Sequence, residues 1–351
     1  MSRPVSLAHL WQLSDEDGLV EHAEGSRALP HLGYCTDDAG RLLLVASEFT
    51  GERARALAHR ALDFLDDAHV GPEGFRLRRL PGRRWSEDPP SDDASARALH
   101  GLGVAGARAP WSEVRRRAQT LFSATCEWRS EFPRANAHAA LGALGLLSVH
   151  AENDAAQRVL AAAAAALPGP GDDATWPWPE ERLSYSNALL AEAMIALGHA
   201  RGDGAAETRG LALLEWLVAR ESLEGHFSFT PVAGRAAQDL APAFDQQPIE
   251  AWAMAEAAAR AFSLTGQERW ARVVESAASW FEGDNDVGVP VGDPLSGAGF
   301  DGLTPTGVNA NQGAESTLAY VAVMTRRRRL RHARVPRART PEHPSPIKET
   351  P

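Results

Sequence analysis

The sequence predicts an all-α fold: a closed (α/α)6 toroid of about six helical hairpins, with long loops around a central polar cavity. Three observations carry this. Apolar residues recur three and four apart over most of the chain, the period of a helix with one buried face. Six helical runs open on a short polar cluster, starting near positions 37, 92, 134, 184, 245 and 311. Between them lie amphipathic runs with charged faces, so small-residue helices alternate with ordinary ones at the period of a hairpin plus loops. An open solenoid would show uniform repeats and polar caps. Here the loops are long and irregular, and the polar clusters all sit at one end of the small-residue helices. A ring of inner helices whose N-termini converge on a funnel accounts for both features.

The elements follow in order. Tyr34–Asp38 is the first entrance; Leu42–Ala46 after it reads as a short strand, and Ala56–Leu65 as a helix. Asp92–Arg97 is the second, followed by the amphipathic run Trp111–Trp128. Arg134–His138 opens an inner helix to Leu147, with Asp154–Leu167 outside it. Ser184–Asn187 opens the fourth inner helix, Ala188–Leu197, and Ala206–Glu221 backs it. Phe244–Glu250 opens the fifth, Ala251–Phe262, backed by Gln267–Glu282; Asn311–Glu315 opens the sixth. Alanine and glycine in the inner helices let them crowd around one axis. Alternation with period two is nearly absent outside Gly225–Pro231. Residues 1–324 are assigned to the toroid. Residues 325–351 have six arginines in the first ten positions and then five prolines, which reads as a basic, Pro-rich disordered tail.

Composition limits the function. Net charge is −10, yet the last 27 residues carry +7, which leaves about −17 on the rest. A body this acidic argues against nucleic acid as a partner. No apolar run reaches the roughly 18 residues of a membrane span. Two cysteines, Cys35 and Cys126, make a disulfide framework unexpected and point to a reduced, cytoplasmic setting. No zinc spacing, calcium loop or nucleotide-binding glycine loop is present, so neither a metal nor another cofactor is expected.

The ordered motifs carry a resemblance. Gly33-Tyr-Cys-Thr-Asp-Asp38 with Arg41, Asp92-Asp93 with Arg97-Ala-Leu99, Trp176-Pro-Trp-Pro-Glu180 with Leu183-Ser-Tyr-Ser-Asn187, Phe244-Asp-Gln-Gln-Pro-Ile-Glu250 and Asn309-Ala-Asn-Gln-Gly-Ala-Glu-Ser316 occur in that sequence. Together they resemble the six-hairpin-glycosidase type of domain found beside, or fused to, bacterial sugar-nucleotide glycosyltransferases, over about residues 10–323. The resemblance implies an (α/α)6 barrel, a role in carbohydrate metabolism, and a possible working link to a glycosyltransferase. Two motifs depart from the pattern: Ala94-Ser95-Ala96 interrupts the second, and Ser186 stands where an aspartate often precedes Asn187.

The residue types suit sugar chemistry. Glycoside hydrolysis needs two carboxyls flanking the bond, one donating a proton and the other acting as base or nucleophile. Asp38, Asp93, Asp245 and Glu250 are the catalytic candidates, with Glu250 or Asp245 facing Asp38 or Asp93 across the funnel. Arg41 and Arg97 each follow an acid, Asp37 and Asp93, by four residues, a spacing that allows a salt bridge on one helix face. Trp176 and Trp178 sit in a stiff Trp-Pro-Trp-Pro loop that could hold an indole against a sugar ring. The amides of Asn187, Gln246, Gln247, Asn311 and Gln312 match sugar hydroxyls. His31, Asp37, Tyr185 and Glu315 complete the substrate-binding candidates. The leading expectation is a glycoside hydrolase acting on an oligosaccharide or glycoconjugate. The alternatives are a non-catalytic sugar-binding domain, and an epimerase or lyase using His22 or Tyr185 as proton carrier.

Overall fold

A computed structural model describes residues 4–334. The helices are α1 (Ala8–Gln12), α2 (Thr36–Ala46), α3 (Glu52–Ala68), α4 (Asp92–Arg108), α5 (Ser112–Ala124), α6 (Pro133–Leu147), α7 (Asp154–Ala166), α8 (Ala188–Ala200), α9 (Gly204–Arg220), α10 (Pro248–Thr265), α11 (Glu268–Phe281) and α12 (Ala314–Arg334). The even-numbered helices form an inner ring, each packed on the next, and α12 packs back on α2. Helices α3, α5, α7, α9 and α11 each lie outside the inner helix that precedes them, and the short α1 packs on α12. The fold is the expected (α/α)6 toroid.

Burial separates the two layers. Helix α8 is buried at every position from Ala188 to Gly198, whereas α3 buries one stripe, Ala54, Leu57, Ala58, Ala61, Leu62, Phe64, Leu65 and Ala68. Glycine lets the inner helices meet backbone to backbone. A Cβ on Gly103 would lie 2.1 Å from the Gly142 carbonyl oxygen, and one on Gly101 would lie 2.2 Å from that of Gly40. At these points α2, α4 and α6 therefore interlock backbone to backbone.

Two expectations are corrected. Leu42–Ala46 is the second half of α2, not a strand. A short apolar run bears no period when nearly every face is covered, and an inner helix of a toroid is in that position. The boundary expected at 324 is also overrun. Helix α12 continues to Arg334, because its arginines find glutamates on neighbouring elements: Arg326 with Glu256 at 2.6 Å, Arg327 with Glu282 at 2.6 Å, Arg331 with Glu275 at 2.5 Å, and Arg334 with Glu268. The rest of the expected tail, residues 335–351, lies outside the described residues.

The long loops carry short antiparallel ladders, among them Gly302–Thr304 with Gly307–Asn309. Leu303 and Gln246 exchange backbone hydrogen bonds of 3.0 and 2.9 Å, which ties the entrance of α10 to this hairpin. Among the described residues no helix is long and apolar enough to cross a membrane.

Candidate active site

The inner-helix N-termini meet at one mouth, and four of the six have acidic first turns: Asp37 and Asp38 on α2, Asp92 and Asp93 on α4, Glu250 on α10 and Glu315 on α12. Unpaired backbone N–H groups and the helix dipole favour carboxylates there. Two clusters result.

In the first, four carboxyls share two buried guanidiniums. Arg41 pairs with Asp38 at 2.8 Å and Glu315 at 2.6 Å; Arg97 lies 3.3 Å from both Asp37 and Asp93. The expected Asp93–Arg97 pair is present. Arg41 reaches Asp38 rather than Asp37, because Asp37 turns toward the neighbouring helix. The charges do not balance, and burial adds to the imbalance. Burial pushes Asp38 up to about 7 against the pull of Arg41. Burial also raises Asp37, with Arg97 and Arg41 opposing, and one of its oxygens is sealed without a partner. Asp93 accepts the Tyr185 hydroxyl at 2.9 Å, and desolvation followed by Asp93 raises that phenol to about 12. Tyr185 therefore stays protonated and is a donor. The side chains of Asp93 and Glu315 are about one-third exposed, at 37% and 36%, so these two carboxyls face the opening.

In the second cluster Glu250 holds a turn. Its carboxyl accepts the backbone N–H groups of Ser186 and Asn187 and the Asn187 side-chain amide. Ser186 has φ +47°, a left-handed conformation that costs a non-glycine residue about 1 kcal/mol. Burial, then Glu221, raises Glu250 to about 8, while the N–H donors oppose the rise. Arg134 completes the knot. It donates to the Tyr185 carbonyl, to Glu180 at 2.7 Å and to the Asn187 side chain at 3.2 Å.

Below the mouth a channel runs down the toroid axis, with a cavity of about 100 Å³. On α4 its lining runs Arg97, His100, Val104, Arg108, one face over twelve residues, or about 16 Å of helix. Trp252 supplies an aromatic wall, and Glu192–Arg260 and Glu256–Arg326 pairs, at 2.8 and 2.6 Å, lie lower down.

Of the sequence candidates, Asp37, Asp38, Asp93, Tyr185 and Glu315 gather around Arg41 and Arg97; Asn187 and Glu250 gather around Arg134. Others stand apart. Asp245 is exposed and does not line the channel, because α10 starts only at Pro248, with Gln247 rather than Asp245 at its cap. Gln246 is fully buried, and its amide is spent on Phe229, Trp280, Ala243 and Asp286. Trp178 stacks on Trp216 at 6.2 Å and Trp176 meets the same ring edge-on at 5.2 Å, so the pair packs against α9. Asn311 accepts Gly25 N–H and Gln312 binds Gly25 and His9 through its backbone, so both anchor the N-terminal loops. His31 is exposed, and His22 is half exposed beside Glu21. The sequence reading missed Arg134, His100 and His138 as site residues. The signal for His138 was its place in the third entrance, one turn after Arg134 on the same helix face.

No family model and no curated protein sequence matches the chain. Solved structures do match in fold. A sugar epimerase from a ruminal bacterium aligns at TM-score 0.67 and 12% identity, over 90% of this chain and 94% of that one. A D-mannose isomerase aligns at 0.63 and 12%, over 92% and 94%. The GH76 α-mannanase of Bacteroides thetaiotaomicron aligns at 0.58 and 12%, over 85% and 87%. These are members of the six-hairpin-glycosidase-like fold.

Proposed function

We propose that this chain processes a carbohydrate bound at the inner-helix mouth, by acid–base chemistry. The observation that carries the reading is the set of four carboxyls on two guanidiniums, open to solvent through Asp93 and Glu315. Such a cluster holds a proton near neutrality and offers both donors and acceptors to hydroxyl groups. The fold neighbours support a sugar as substrate, since their names include an epimerase, an isomerase and a mannanase.

Within that reading, proton transfer on a sugar ranks above hydrolysis. Hydrolysis needs a carboxyl free to attack or to activate water. Asp38 is tied to Arg41, Glu250 is taken by three N–H groups, and Asp245 is exposed on the loop before α10 rather than on an inner-helix first turn. Tyr185–Asp93 remains as a donor–acceptor unit. Hydrolysis is kept as the second reading because Asp93 and Glu315 are two partly open carboxyls on different inner helices. A working link to a glycosyltransferase belongs to the same proposal and rests on the motif set alone.

The test is incubation of the full chain with D-mannose, D-fructose, cellobiose and mannobiose. Proton transfer gives an isomeric sugar of unchanged mass, and hydrolysis gives new reducing ends. Either product should fall about 100-fold in Asp93→Asn. Undiminished turnover in that variant would remove Asp93 from the chemistry, and absence of binding to all four sugars would overturn the carbohydrate reading.

A further inference from the structure

One turn below Arg97, His100 of α4 and His138 of α6 bring their Nδ1 atoms to 3.0 Å. Two ring nitrogens at that distance form a hydrogen bond only if one carries a proton and the other does not. A neutral imidazole has a single N–H. The ring that donates through Nδ1 therefore has a bare Nε2, and the ring that accepts through Nδ1 keeps its proton on Nε2. Both rings line the channel, and among the described residues neither Nε2 has a hydrogen-bond partner or counts as buried without one. The channel thus receives one base and one acid from the same pair.

We propose that His100 and His138 work as a linked acid–base pair on an open-chain hydroxy-carbonyl sugar in the channel, one Nε2 taking a proton while the other gives one. The proposal rests on the carbohydrate reading above. In the step, a C–H bond next to the carbonyl breaks, its electron pair stays on the substrate, and an N–H bond forms at the bare Nε2. That ring passes its Nδ1 proton to the other ring's Nδ1. The second ring releases its Nε2 proton to the substrate. No electron is gained or lost. Both rings begin and end neutral, with their tautomers exchanged.

The surroundings explain why a pair serves where one histidine would not. Burial, then Arg260, Arg108 and Arg97, pulls His100 down to about 3. Burial, then Arg97, His100, Arg41 and Arg134, holds His138 well below the usual range. A lone base here would end as an imidazolium facing several guanidiniums. The coupled transfer never creates that charge.

Histidine-labelled full-length chain, read by long-range proton–nitrogen NMR at neutral pH, tests the first half. Signals are assigned with His100→Phe and His138→Phe. The expected result is opposite tautomers in the unsubstituted protein, or exchange between them; two rings both protonated on Nε2 would overturn the pairing. The second half is deuterium uptake from D2O into D-mannose, D-fructose and cellobiose, with binding of the same sugars followed by calorimetry. Uptake should fall about 100-fold in His100→Phe and in His138→Gln, with sugar binding retained. Sugar binding without uptake in the unsubstituted protein, or uptake unchanged in the variants, would overturn the role of the pair and leave the mouth reading standing. Opposite tautomers with no sugar bound would instead count against the mouth reading.

Discussion

The carboxyl of Glu250 takes Asn187 twice, at its backbone N–H and at its side-chain amide, both at 3.1 Å. With the Ser186 N–H it fixes a left-handed turn between two inner helices. Glu250→Ala leaves three buried donors without an acceptor, at about 1–3 kcal/mol each. A loss of about 3 kcal/mol or more in urea unfolding is expected, and sugar binding should weaken because Arg134 leans on the same turn. Stability within 1 kcal/mol of the parent, on the order of an ordinary surface change, would show that the turn holds itself.

Asp38 gives the pH dependence a definite sign. Its folded value of about 7 lies above the ordinary 3.8. The neutral acid is thus the form the fold favours. Its stabilising contribution is complete below the ordinary value and is lost as pH rises through about 7. Asp38→Asn, which stays neutral throughout, should gain stability relative to the parent between pH 4 and pH 8, by on the order of 1–4 kcal/mol. Urea midpoints at both pH values measure it; a constant difference would mean that Asp38 ionises normally.

The glycine interlock predicts a graded series. Gly103→Ala places a methyl 2.1 Å from the Gly142 carbonyl oxygen, whereas Gly145→Ala meets its nearest atom at 3.4 Å. The first should cost about 1–3 kcal/mol or more through displaced backbone. The second should cost little, or be offset by alanine's higher helix propensity. Melting temperatures in the reverse order would contradict backbone contact between α4 and α6.

The arginines of α12 differ in what surrounds them. Arg326 is mostly buried beside Glu256 and lines the channel, while the Arg331 side chain is 51% exposed beside Glu275. Arg326→Ala strands Glu256 and should destabilise by about 2 kcal/mol or more. Arg331→Ala should cost at most about 1 kcal/mol, less at high salt. Equal losses in the two, by calorimetric unfolding, would count against burial as the deciding term.

The ring, the inner–outer alternation and the acidic entrances were legible because they follow from local rules: a 3.6 period, small residues where helices crowd, acids in first turns. Partners were less legible. Arg41 to Glu315 and Arg134 to Glu180 join residues far apart in sequence, and spacing on one helix is silent about them. Gln246 illustrates the opposite error. A polar side chain in a polar motif reads as a ligand-facing group, yet this amide is the hydrogen-bonding centre of a core containing Trp280 and Phe229. His100 lay within an apolar run and gave no signal of its own. Its meaning arises only when α6 brings His138 opposite.

Helices α2, α4 and α6 are locked by shape, through backbone contacts that no dissolved ion can weaken. The closure of the ring between α12 and α2 is of another kind. It is bridged by Arg41–Glu315 at the mouth and by Arg329–Glu48 at the opposite end. Ion pairs also cross from α2 to α4 through Asp37–Arg97, from α8 to α10 through Glu192–Arg260, and from α10 to α12 through Glu256–Arg326. Ionic strength and protonation therefore act on these seams and leave the glycine contact of α4 with α6 untouched.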